Sequence, residues 1–139
     1  MNDNKLSKEY DAYLNSIMDK IPMKLRNMIE LTNRFDSTLL SFELIPNENK
    51  ATLEIIAEKI TSEEKYTDAH MQFQYFGLVQ VRSFCKLNEG HPMPLGFGDL
   101  LWEEFELLPN ESIEHRLLYS SGINYCIQFT DFDYVFLKA

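Results

Sequence analysis

The stretch that decides the fold is 99–129, D-L-L-W-E-E-F-E-L-L-P-N-E-S-I-E-H-R-L-L-Y-S-S-G-I-N-Y-C-I-Q-F. Its apolar residues recur every second position, the period of a strand with one buried face. Leu101, Phe105 and Leu107 share one side of the first segment, with Glu103 among them. Ile113, Leu117 and Tyr119 share one side of the second, with His115 among them. Ile123, Tyr125, Ile127 and Phe129 share one side of the third. Leu108-Pro109-Asn110 and Ser120-Ser121-Gly122 supply the turn chemistry between them. The expectation is a meander of three antiparallel strands over 99–107, 113–119 and 123–129.

The same reasoning runs outward in both directions. Upstream, His70, Gln72 and Gln74 alternate with Met71, Phe73 and Tyr75, which predicts another half-buried strand. Strands are also expected over 38–44, 52–59 and 78–84, with a closing one over 132–137, although 52–59 also fits a short helix. Pro46-Asn47-Glu48-Asn49 reads as a turn, 61–68 as a polar loop, and Gly77 as a bulge or bend. The Gly- and Pro-rich segment 88–98 reads as the longest loop. Toward the N-terminus the period changes. Leu6, Tyr10, Tyr13, Leu14, Ile17, Met18 and Ile21 recur three or four apart, which predicts a helix over 6–20. Pro22 stops it and suits the first turn of a second helix over 23–33. The fold class is therefore α+β. Two short N-terminal helices (1–34) pack on a mostly antiparallel sheet (35–139) of about 6 to 7 strands with meander hairpins. At 139 residues one domain, 1–139, is expected.

Three-residue loops at 108–110 and 120–122 would set Glu103 opposite His115, and His115 opposite Ile127. Glu103 and His115 then form an inward polar pair. A carboxylate in that position needs a partner, because burying it alone costs several kcal/mol. The pair reads either as a satisfied core hydrogen bond or as acid–base machinery. The opposite face of the ribbon carries Trp102, Glu104, Glu106, Glu114 and Arg116. It reads as a partner-binding patch with an aromatic anchor ringed by acids. The alternative is a face on which Arg116 stacks over Trp102, or which the helices cover.

Net charge is -9. From Asp99 onward eight acidic residues face Arg116 and Lys138, a balance of -6, which leaves -3 for the rest. Phosphate backbones and anionic membranes need clusters of Lys and Arg, so nucleic acid and membrane surfaces are not expected partners. A basic protein is. The polar start and the lack of long apolar runs point to a cytoplasmic chain. Cys85 and Cys126 read as free thiols, though a disulfide between them stays open.

No nucleophile elbow, zinc-protease helix or phosphate loop occurs, so no catalytic residue is assigned. Gly96-Phe97-Gly98 is a lone G-x-G. His70, His91 and His115 have no metal-ligand spacing to Cys, and Asp131 and Asp133 read as a turn, so neither metal nor cofactor is expected. Cys126 should point away from the inward face, which separates it from His115.

Three segments carry a family resemblance: 101–107, 114–122 and 127–132. They hold a Trp-plus-acidic strand, a His strand ending in a Gly turn, and a closing F-x-D-F-like strand. Together they resemble a group of small bacterial proteins, some regarded as immunity proteins beside polymorphic toxins. Phe35-Asp36-Ser37 resembles that group's His-Asp entry to the sheet, with Phe35 in place of the His. The likeness spans about the last hundred residues and implies fold more than function. It implies a protein partner, a basic toxin. The competing readings are a housekeeping interaction or oligomerisation domain, and a small-ligand or enzyme domain using Glu103 and His115.

Overall fold

The computed structural model describes residues 3–60, 66–85 and 98–138. The helical periodicity of the N-terminus forms α1 (Asp3–Ile17), a short 3-10 turn (Met18–Lys20) and α2 (Met23–Leu31). Ile21 is extended after the 3-10 turn, and Pro22 starts α2, its carbonyl accepting from the Arg26 amide. Thr32 closes α2 by donating its hydroxyl to the Met28 carbonyl at 2.7 Å. The chain then turns extended at Thr32, slightly before the expected helix end.

Eight strands follow among the described residues: β1 (Thr32–Ile45), β2 (Lys50–Ile60), β3 (Tyr66–Phe76), β4 (Gln80–Cys85), β5 (Leu100–Leu107), β6 (Ile113–Tyr119), β7 (Ile123–Phe129) and β8 (Asp131–Lys138). The class is α+β with antiparallel pairing throughout, as the periodicity predicts. The strands divide between two sheets, ordered β1-β2-β3-β8 and β4-β7-β6-β5. Residues 66–68, expected in a loop, are already strand because they pair with 58–60 of β2. The remainder of that loop (61–65), and the long loop with His91 and Gly96 up to residue 97, lie outside the described residues.

The sheets are joined by a bridge between Thr38 and Asp99 at one corner and by a bend at another. β3 leads into β4 while β7 leads into β8, so the β3–β8 ladder runs on as the β4–β7 ladder. The Thr130 amide donates to the Phe76 carbonyl and the Val79 amide to Gln128 at that corner. Gly77 turns there with φ of 60°, a left-handed conformation that favours glycine, and an added Cβ would overlap Thr130.

The inward faces of both sheets build one core. Met71, Phe73 and Tyr75 are fully buried, as their alternation predicts. Burial of Met71 or Phe73 stabilises the fold by about 1.5–3 kcal/mol each. In register, Leu53, Phe73 and Tyr134 form one layer, and Ala51, Tyr75 and Phe132 the next. Across the core, Tyr75 meets Phe129 edge-on at 5.0 Å and Phe42 stacks on Tyr125 at 4.4 Å. From the helices, Ile17, Ile21, Leu25 and Met28 complete the cluster.

Candidate functional site

The β5–β6 hairpin carries both faces singled out from sequence, but its register differs from expectation. The connection runs over five residues, 108–112, closed by the Leu108 amide on the Ser112 carbonyl, with Glu111 in the left-handed region at φ of 68°. Glu103 therefore pairs with Leu117, and Phe105 with His115. The register slips by two, so parity survives. The second turn fits: His115 pairs with Ile127 and Leu117 with Tyr125.

A bulge at the start of β5 corrects another expectation. Leu100 pairs with Tyr119 and Trp102 with Leu118, which leaves Leu101 as the extra residue. Leu100 takes the inward place at 2% exposure. Leu101, expected inside, is 51% exposed beside Trp102 at 52%.

On the inward face, Glu103 and His115 meet diagonally rather than directly. His115 Nε2 lies 2.9 Å from Glu103 Oε2, and Tyr75 Oη lies 2.8 Å from His115 Nδ1. Arg34, unnoticed in the sequence, donates Nε to Glu103 Oε1 at 2.7 Å. Its Nη1 donates to the carbonyl and hydroxyl of Thr32 and to the Ile29 carbonyl, satisfying backbone groups at the end of α2. Phe105 stacks on His115 at 4.1 Å. Burial alone would raise the Glu103 pKa, but Arg34 and His115 overcome it and hold the carboxyl at about 2. Burial lowers the His115 pKa against the pull of Glu103, and Arg34 lowers it further. A neutral imidazole fits the chain of contacts: Nε2–H donates to the carboxylate, and Nδ1 accepts from the Tyr75 hydroxyl. Burial also holds that phenol well above its usual pKa.

The outward face has the expected residues in a different arrangement. Arg116 does not stack on Trp102. It bonds Glu104 at 2.6 Å, Glu106 at 3.0 Å, and Glu114. Glu114 is nearly buried and also accepts from Cys126 Sγ and Gln128 Nε2. Its pKa is lowered because these donors and Arg116 outweigh burial. The Trp102 indole N–H donates to Glu104 at 3.1 Å. Nor do the helices cover Trp102. α1 lies along the free edge of β5, where the Phe105 amide donates to Tyr10 Oη at 2.7 Å and the Leu107 amide to Tyr13 Oη at 2.9 Å. Two tyrosines thus protect a sheet edge. Burial pushes the Tyr10 hydroxyl up to about 12.

Two hollows flank Tyr10. A groove of about 410 Å³ opens between residues 33–35 of β1 and 100–103 of β5, with Tyr10 at its end. Here both edge strands are irregular. The β1–β2 register jumps between Asn33 and Thr38, with Asp36 at φ of 61° and Phe35 left 65% exposed. The β5 bulge turns Leu101 outward beside Trp102 on the opposite wall. On the other side of Tyr10, a cleft of about 250 Å³ is lined by Tyr13, Glu104, Phe105, Glu106 and Arg116.

Sequence reasoning missed Arg34, Tyr10 and Tyr13. A cation just after a helix C-terminus is a readable signal. A tyrosine that accepts from a strand edge has none. Cys85 and Cys126 are free thiols, and Cys126 lies on the outer face away from His115, as parity predicts. Asp131 and Asp133, expected in a turn, lie in strand β8 because they pair with Phe76 and Gln74 of β3, and each accepts from the following amide. Among the described residues, no three His, Cys, Asp or Glu side chains could hold a metal, and no helix is long and apolar enough to cross a membrane. No protein family, curated protein or solved structure matches the chain.

Proposed function

We propose that the chain is a protein-binding module whose contact surface is the outer side of β5 together with the groove beside it. One observation carries this reading. Two independent backbone irregularities, one in β1 and one in β5, face each other across the groove and turn Phe35 and Leu101 toward solvent beside Trp102. Bulges re-aim side chains at functional surfaces, and clustered exposed apolar groups mark interaction sites. The adjoining Glu104, Glu106 and Glu114 outnumber Arg116 and Arg82 by one, which favours a basic partner.

In its specific form, the module is an immunity protein that neutralises a basic toxin. That step rests on the sequence resemblance and the acidic C-terminal third. The burial of His115, which has no accessible surface, favours binding over a reading in which the imidazole meets a substrate. A self-association role remains the competing binding reading, and sedimentation in the absence of partner separates the two.

The test is association with the product of the neighbouring reading frame, at low and high salt. Charge reversal by Glu104→Lys and Glu106→Lys should weaken it about tenfold or more at low salt and less at high salt. Unchanged association at low salt removes the acidic-surface mechanism.

A further inference from the structure

We propose that the two hollows flanking Tyr10 recognise one segment of the partner, with an apolar side chain seated in the groove and a basic one in the cleft. This rests on the protein-binding reading above and names the chemistry of what binds.

The groove is apolar at its walls and neutral at its floor. Phe35, Leu101 and Trp102 are each more than half exposed around it. Its two charged residues, Arg34 and Glu103, neutralise one another at 2.7 Å. A charged side chain would gain no complementary charge there and would lose hydration. An apolar side chain gains by covering three exposed hydrophobic residues.

The cleft differs in charge. Glu104 and Glu106 line it with Arg116, and Glu114 shares the same guanidinium. Arg82 also reaches Glu114 at 3.8 Å, so three carboxylates against two cations leave an excess of one negative charge, carried by the Glu104–Glu106 side that lines the cleft. A further cation is attracted to that excess, and Tyr10 and Tyr13 line the same cleft, where the aliphatic stem of an Arg or Lys can pack. An acidic segment would be repelled from the same place.

Both hollows follow β5, from Trp102 to Glu106. At about 3.3 Å per strand residue, the two seats lie roughly 7–13 Å apart, two to four residues of extended chain. The recognised segment therefore carries an apolar residue followed or preceded at short range by Arg or Lys.

The chain holds one tryptophan, so its emission reports on the groove directly. The probe is an acetylated, amidated hexapeptide, Gly-Phe-Ser-Arg-Arg-Gly, titrated into the full chain. A saturable change in Trp102 emission is expected. Gly-Phe-Ser-Glu-Glu-Gly and Gly-Ser-Ser-Arg-Arg-Gly should each bind about tenfold more weakly. The Glu104→Gln/Glu106→Gln variant, with its fold verified by circular dichroism, should weaken the first peptide by a similar factor. Equal binding of the acidic peptide, or no emission change at millimolar probe, overturns the proposal. If the protein partner still binds in an acid-sensitive way when the peptides fail, the protein-binding reading stands and only this inference falls. Loss of acid sensitivity with the partner removes the reading beneath it.

Discussion

The two faces of the β5–β6 hairpin carry nearly the same residue types and use them in opposite ways. Inside, one carboxylate meets one guanidinium and one imidazole. Arg34 and Glu103 retain only 12% and 13% side-chain exposure, and His115 none. Outside, three carboxylates share Arg116 at a partly solvated surface. Neighbouring residues on one strand, Glu103 and Glu104, belong to different networks because successive side chains point to opposite faces. The inner network is balanced and largely buried, so each member depends on the others. The outer one has surplus charge, and water reaches Glu104 and Glu106, so neither of these two acids is indispensable, whereas Glu114 is as buried as the inner carboxylate. Charge in a sheet holds the fold together when it is inside and balanced, and is free to meet a partner when it is outside and in excess.

The largest test of this contrast breaks the inner pair. Glu103→Ala leaves the Arg34 guanidinium without its carboxylate and the His115 N–H without an acceptor. Removing one partner of a buried pair costs about 3–5 kcal/mol. The urea midpoint should fall accordingly, with the slope unchanged. Replacing both partners, as Arg34→Met with Glu103→Leu, should recover much of that loss, since the orphan charge is gone. A single-variant loss below about 1 kcal/mol would place the inner pair in the same class as surface ion pairs and end the contrast.

The second test uses pH. The His115 pKa is lower in the fold than its ordinary 6.5, so below about 6.5 the unfolded chain binds the proton more readily. Stability is therefore full above that point and declines as pH falls through it. Glu103 acts in the same direction further down. Its carboxyl titrates near 4.5 in the unfolded chain and at about 2 in the fold. That stability is lost between those values and is on the order of 3 kcal/mol. Glu114, also lowered, adds to this acid limb from the outer face. Urea unfolding across the acid range should show both declines. In His115→Gln the upper decline disappears and the lower one remains. Stability that rises as pH drops through 6.5 would contradict the neutral, buried imidazole.

Much of this architecture was legible in the sequence, and the parts that were not share a cause. The alternation of Met71, Phe73 and Tyr75 fixed a face because every second side chain is large and apolar. Parity alone placed Glu103 and His115 inside together. Register was not legible, because Leu108 to Ser112 forms a five-residue connection with Glu111 in a left-handed conformation, which glycine or asparagine would have announced. The β5 bulge was hidden by Leu100-Leu101, where either leucine suits the core and only coordinates reveal which one enters. Arg34 lies 69 positions from Glu103. A long-range ion pair leaves no local periodicity, although an inward carboxylate implies that some cation must reach it. The groove was invisible for the same reason, since its walls come from 33–35 and 100–103.

The smallest expected effect is the sharpest check on the outer face. In Glu104→Gln/Glu106→Gln, Arg116 keeps Glu114 as a charged partner, so no buried charge is orphaned. The two replaced carboxylates retain 26% and 44% exposure, where water screens their attraction to Arg116. Removing them also relieves repulsion between like charges two residues apart on one strand face. These effects oppose each other, and the net change in stability should stay within about 0.5 kcal/mol. Equal urea midpoints for the variant and the parent chain support that. A loss above about 1 kcal/mol would mean that the outer acids help hold the hairpin together. Weaker peptide or partner binding by the variant could then reflect a loosened β5 rather than a missing charge, and the division of labour between the two faces would no longer hold.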